Sequence, residues 1–148
     1  MESALHIMSY LRIRHNYLLV LDRSYSDINL SEFKSDKNCT TFYGDSKEEK
    51  PHNAPKPLGK EIDLKTFVNS NHAGDRTNSH SRTGYKIFMN ISMIYWHTEK
   101  QSTVNGAVFG ADFVAMNQDV VALCSIRYKL RMMGVEVAGP TYIYGDNM

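Results

Sequence analysis

The run Tyr142-Ile143-Tyr144-Gly145-Asp146-Asn147-Met148 sets an acidic residue directly after a short apolar stretch. Two earlier segments share that character: Phe67-Val68-Asn69-Ser70-Asn71-His72-Ala73-Gly74-Asp75 and Phe109-Gly110-Ala111-Asp112-Phe113-Val114-Ala115-Met116. Each places a short oxygen-bearing side chain at a strand end or in the first turns of an apolar helix: Asn69, Asp112 and Asp146. Magnesium takes oxygen ligands and keeps several of its waters, so a few carboxylates suffice to hold it. Two such ions about 4 Å apart activate water on one side of a phosphodiester and steady the leaving oxygen on the other. The chemistry suggested is phosphodiester cleavage assisted by Mg2+, or by Mn2+ in its place. Asp112 and Asp146 meet the charge requirement, whereas Asn69 offers only a neutral carbonyl. Plainer readings stand beside these. Asp112 is also an early helical acid favoured by the helix dipole, and Asp146-Asn147, Asn69 and Asn71 are ordinary turn formers.

The elements that must position these residues follow from periodicity. Leu64 to Asn69 reads as a strand, Ala73 to Ser81 as a loop, Gly84 to Met89 as a second strand reversing at Asn90, and Met93 to His97 as a third. Three strands joined by short turns make an antiparallel meander. Ala107 to Met133 reads as a long helix, with Phe109, Phe113, Met116, Val120, Leu123, Arg127 and Leu130 at steps of three and four along its packed stripe. Asn105 is the expected N-cap and Gly134 the C-terminal stop. Thr141 to Tyr144 is a fourth strand, which the intervening helix allows to pair in parallel. The fold class is α/β: a mixed sheet crossed by a helix. Ile94 and Trp96 are expected to alternate onto a packed face, with stacking of Trp96 on a base as the competing reading.

Upstream, residues 4–13 fit a short helix packing through Leu5, Met8 and Leu11 or Tyr10, and Tyr17 to Leu21 a strand ended by Asp22-Arg23-Ser24. Residues 24–63 are polar and carry Pro51, Pro55 and Pro57, which constrain the backbone and remove donors. They read as an extended connector with at most brief structure at Thr41-Phe42-Tyr43. The chain thus divides into 1–23, 24–63 and a domain from 64 to 148, with a boundary near Pro57-Leu58-Gly59.

A net charge of +1, from 17 basic and 16 acidic residues, neither demands nor excludes a polyanionic partner. Cys39 and Cys124 lack CxxC spacing and read as free thiols of a reducing compartment. Leu18-Leu19-Val20-Leu21 is too short to span a bilayer. An intracellular location, cytoplasmic or nuclear, with no membrane partner, is the expectation. His6, His52, His80 and His97 show no zinc-site spacing. His72 reads as a proton shuttle or as a loop histidine without a chemical task, and Asp75 as the acid of an Asx turn. Arg82, Lys86, Lys100, Arg127, Lys129 and Arg131 are candidate phosphate contacts, with Arg127 and Arg131 one helical turn apart. An ordinary solvated face is the competing reading.

Taken in order, Phe67 to Asp75, Ser81-Arg82-Thr83-Gly84, Trp96 with Lys100-Gln101, Phe109 to Ala115, Arg127 to Val135 and Tyr144-Gly145-Asp146-Asn147 resemble the ribonuclease H domain of copia-type retrotransposon polyproteins. The resemblance covers the chain from about Leu64 onward, and residues 1–63 are similar to the connection that follows the reverse transcriptase domain. It implies a ribonuclease H-like fold whose last strand and helices, with further acidic or histidine motifs, belong beyond Met148. It implies a metal-dependent site cutting the RNA strand of an RNA–DNA hybrid, in company with the reverse transcriptase domain of a parent polyprotein. The family's first aspartate falls on Asn69, with Asn71 where a second is usual. Its helix glutamate falls on Asp112, and its next aspartate on Asp146. An amide in place of a ligand carboxylate removes needed charge, and misplacement by about 1 Å costs on the order of 100-fold in rate. Little or no hybrid cleavage is therefore expected, and a nonenzymatic remnant that binds nucleic acid weakly, or a protein partner, is the alternative.

Overall fold

Burial alternates strictly along Leu64–Asn71: Leu64, Thr66 and Val68 are buried while Phe67 and Asn69 are exposed. That period of two is the signature of a strand with one face packed. The structure, a computed structural model, describes residues 8–10, 12–14, 21–22, 24, 52–75 and 77–145. Within them lie β1 (Leu64–Asn71), β2 (Arg82–Met89), β3 (Ser92–Lys100), the long helix α1 (Val108–Met132) and β4 (Tyr142–Gly145). The sheet order is β3-β2-β1-β4, with β1–β2 and β2–β3 antiparallel and β1–β4 parallel. The mixed sheet with its crossing helix is the architecture expected.

One core forms where α1 lies over the sheet, around Val68, Tyr85, Ile87, Ala115 and Leu123. A second, at the far end of the helix, joins Leu64, Leu130 and Val137. The helix does not pack through the expected stripe. Ala111, Ala115, Asp119, Leu123 and Leu130 are its buried residues, while Phe109 and Phe113 stay exposed and lie 6.4 Å apart on the solvent side. Alanines let the helix backbone approach the sheet closely, so the contact face is turned by roughly one residue, ~100°, from the bulky stripe. Only Leu123 and Leu130 belong to both. The cap also differs: Ala107 occupies the N-cap position with no side-chain cap bond, and Asn105 serves elsewhere.

The helix ends as its sequence indicates. Gly134 adopts φ 77° and its N–H donates to the Arg131 carbonyl, while the Val135 N–H reaches back to Leu130. This paired return is a Schellman motif, which satisfies carbonyls that the helix leaves open. The following chain pairs with the approach to β1: the Ile62 N–H donates to the Glu136 carbonyl and the Ala138 N–H to the Ile62 carbonyl. Gly134→Ala is expected to lower the unfolding free energy by about 1–2 kcal/mol, because a side chain is strained at that φ and its Cβ would sit 3.4 Å from the Lys56 carbonyl. Urea denaturation measures it; an unchanged midpoint would show that the motif does not hold the helix end.

The β2–β3 hairpin turns on Asn90 and Ile91. Asn90 takes φ 55°, donates its N–H to the Asp63 carbonyl and accepts the Asp63 N–H on its Oδ1. A bulge then shifts the register between Ile87 and Phe88, leaving Ile94 as the extra residue of β3. Ile94 turns into the core, whereas Trp96 remains on the other side and is 60% exposed. The expected packing of Trp96 fails for that reason, since one inserted residue breaks the alternation.

Upstream, residues 8–10 and 12–13 are helical, but Met8, Tyr10 and Ile13 are exposed, so these positions form no packed side. Asp22 docks on the start of β3, exchanging backbone hydrogen bonds with the Ser92 hydroxyl. The strand expected at Tyr17–Leu21, apart from Leu21, and the Thr41-Phe42-Tyr43 stretch lie outside the described residues, as do Cys39 and Asp146. Cys124 is exposed and free. Among the described residues no helix is long and apolar enough to cross a membrane.

Candidate functional site

The end of β1 and the first turns of α1 come together, as their motifs suggested. The Ser70 hydroxyl donates to Asp112 Oδ1 at 2.5 Å. Behind this contact, Gln101 clamps three elements. Its Nε2 donates to the Ala111 carbonyl at 2.9 Å and to Thr83 Oγ1 at 3.1 Å, and its Oε1 accepts from Asn105 Nδ2 at 2.9 Å. The 72–81 loop is tied into the same network. His72 Nε2 lies 2.9 Å from the Asn105 carbonyl, His80 Nδ1 2.7 Å from the Gln101 carbonyl, and Ser81 Oγ accepts the Ala73 N–H. His72 is thus a structural tie between loop and helix entry. Asp75 forms the expected Asx turn through the Thr77 N–H and pairs with Lys100 at 2.9 Å. The Lys100 ammonium, with that N–H, holds the Asp75 carboxyl below the usual range.

Asn69 does not share the face of Asp112. It is exposed and lines the solvent side of the sheet beside Gly84, Lys86 and Trp96, whereas its neighbour Ser70 faces the helix and holds Asp112. Asn69 and Asp112 therefore lie on opposite sides of β1, and these two do not offer adjacent corners of one magnesium octahedron. Among the described residues no group of three or more His, Cys, Asp or Glu side chains is placed to hold a metal ion.

The candidate phosphate contacts divide. Arg127 is engaged within the fold: its Nη1 donates to Thr141 Oγ1 at 2.6 Å and its Nη2 to the Gly139 carbonyl at 3.2 Å, latching the helix to the turn before β4. Arg131 is half-buried beside Ala54 to Pro57. Lys100 is held by Asp75, while Arg82 and Lys86 stand exposed on β2.

Two features escaped sequence reasoning. The first is a row across the solvent side of the sheet, Trp96–Lys86–Phe67–Tyr144, each residue in register with the next. Phe67 and Tyr144 stack with ring centroids 4.9 Å apart and 15° between planes. Alternation in β1 was legible, but only the strand pairings assemble the row. The second is Asp119, fully buried in the middle of α1. Its Oδ1 lies 2.9 Å from the Thr66 hydroxyl, and its Oδ2 is buried with no hydrogen-bond partner among the described residues. Burial pushes its carboxyl up to about 6, partly opposed by the Thr66 contact. Tyr85 nearby is pushed up to about 12, first by burial and then by Tyr95 and Asp119. An acid inside an apolar helical stretch was the available signal. No protein-family model and no solved structure matches the chain.

Proposed function

We propose that this chain is a ribonuclease H-like domain of copia-type retrotransposon lineage that binds nucleic acid, including RNA–DNA hybrid, without cutting it. The observation that carries the reading is the amide at the end of β1: Asn69 stands where the resemblance expects the first carboxylate, and it emerges on the side of the sheet away from Asp112. A neutral carbonyl contributes little to holding a divalent cation, and Asp112 Oδ1 already accepts the Ser70 hydroxyl. Binding is supported by the solvent side of the sheet. Lys65, Arg82 and Lys86 share that side, and none of the strand positions on it is acidic. Such a patch attracts phosphates by a sequence-independent, salt-dependent term.

The test is incubation of the protein with a labelled RNA–DNA hybrid and millimolar Mg2+ or Mn2+. Retention of the hybrid at low salt without RNA cleavage above background is expected. Metal-dependent cleavage that disappears in Asp112→Ala or Asp146→Ala would overturn the reading, because the acid removed would then be a working ligand.

A further inference from the structure

We propose that the solvent side of the four-stranded sheet is a platform for single-stranded nucleic acid, with bases stacking on Trp96 and on the Phe67–Tyr144 pair and phosphates drawn to Lys86, Lys65 and Arg82. The inference deepens the nucleic-acid reading above and rests on it. The row Trp96–Lys86–Phe67–Tyr144 spans the full width of the sheet. Adjacent strands are about 4.8 Å apart, so three steps set its ends roughly 14 Å apart. Trp96 and Phe67 keep 60% and 45% of their surface open, which leaves ring faces available to a base. Lys86 lies between them and is itself exposed.

The adjoining rows continue the chemistry. Lys65 pairs with Phe88 and Tyr142 across its two neighbours, and its Nζ lies 6.0 Å from the Phe88 ring centroid. On the other side Gly84 faces Asn69 and Thr98, and a Cβ built there would meet nothing within 4 Å. The glycine thus lowers the floor of a cleft of about 830 Å³ beside Trp96 and Lys86. Asn69 stands at its edge, with an amide suited to hydrogen-bond a base edge.

Charge decides the occupant. Cations interleaved with open aromatic rings, and no carboxylate on the strand positions of this side, complement a backbone of phosphates carrying unpaired bases. A duplex keeps its bases stacked on one another and would leave the rings unused. A second copy of this chain would meet the same cations it presents.

The single tryptophan makes the site report on itself, since Trp96 is the only one in the chain. Titration of the full chain with (dT)12 or (rU)12 at 50 mM salt is expected to quench its emission. Fluorescence anisotropy of the labelled strands should show Trp96→Ala binding about 10-fold more weakly and Trp96→Phe recovering most of that loss. Lys86→Ala should reduce the slope of log affinity against log salt by about 0.7. Because both side chains are exposed, the thermal midpoint of each variant serves as the control for folding.

Binding of the strands with unchanged Trp96 emission, or at full strength by Trp96→Ala, would sink the platform while leaving the nucleic-acid reading standing. Binding of the RNA–DNA hybrid but not of either single strand would do the same. Failure of every nucleic acid to bind would remove both. Quenching that follows protein concentration alone, with a dimer in sedimentation, would assign the face to a second copy and overturn the platform.

Discussion

Asp119→Asn is expected to raise the unfolding free energy at pH 8 by on the order of 2–3 kcal/mol and to leave it nearly unchanged at pH 4. The reason is a proton count. The Thr66 hydroxyl lies 3.0 Å from the Lys86 carbonyl and 2.9 Å from Asp119 Oδ1, but it has one hydrogen for two acceptors. A protonated Asp119 resolves the conflict by donating to Thr66 Oγ1, which frees Thr66 to donate to Lys86. An ionised Asp119 cannot, and its Oδ2 has no hydrogen-bond partner among the described residues. Burying a charge without partners is costly, so the carboxyl is pushed up from 3.8 to about 6.

The sign follows from linkage. Between pH 4 and 6 the folded state still binds a proton that the unfolded chain has released, so stability falls as pH rises through this window. It is full below about pH 4 and levels off above about pH 7. Tyr85, which faces the same core, stays neutral throughout because it is pushed up to about 12. Asparagine keeps the shape, supplies the missing donor toward Thr66 and cannot ionise. Urea denaturation at pH 4, 6 and 8 tests the account. Wild-type stability that climbs from pH 4.5 to 7, or an Asn variant weaker at pH 8, would refute it.

Asp119 also marks the boundary of what the sequence discloses. Strand positions were legible because β1 alternates cleanly, Leu64, Thr66 and Val68 against Lys65, Phe67 and Asn69, and alternation is a local property. The helix was legible to within a residue, expected over 107–133 and found at Val108–Met132, because periodicity and Gly134 are local as well. Its facing was not. Bulk at Phe109 and Phe113 outweighed Ala111 and Ala115 in the sequence, whereas in the fold the small residues permit the close approach to β1 and β2. Trp96 was misplaced because a bulge is a property of a strand pair and leaves no mark in β3 alone. The candidate site divides along the same line. The meeting of the β1 end with the helix entry followed from topology, whereas the face on which Asn69 emerges depended on a one-residue phase, and the row through Lys86 on three registers.

Gln101→Ala is expected to cost about 3 kcal/mol and to loosen the first turns of α1 more than any other part of the helix. The side chain is only 1% exposed, yet it makes three hydrogen bonds, to Thr83, Ala111 and Asn105. Each is worth about 1 kcal/mol while made, and a donor or acceptor left buried without one loses more. Truncation also leaves a void among β2, β3 and the helix entry, where collapse is restrained by the His80 and Ser81 contacts to the Gln101 backbone. Because α1 has no side-chain cap at Ala107, the Gln101 bonds to Ala111 and Asn105 help to hold the helix entry, and so the place where Asp112 meets Ser70. Hydrogen exchange should therefore quicken at the amides of Ala111 to Ala115 while those of Leu123 to Leu130 follow only the global loss of stability. Gln101→Glu should be no milder, since a carboxylate cannot donate to the Ala111 carbonyl and would be buried as a charge. A loss below about 1 kcal/mol for the alanine variant, or exchange raised evenly along the helix, would show that the entry is held by backbone packing instead.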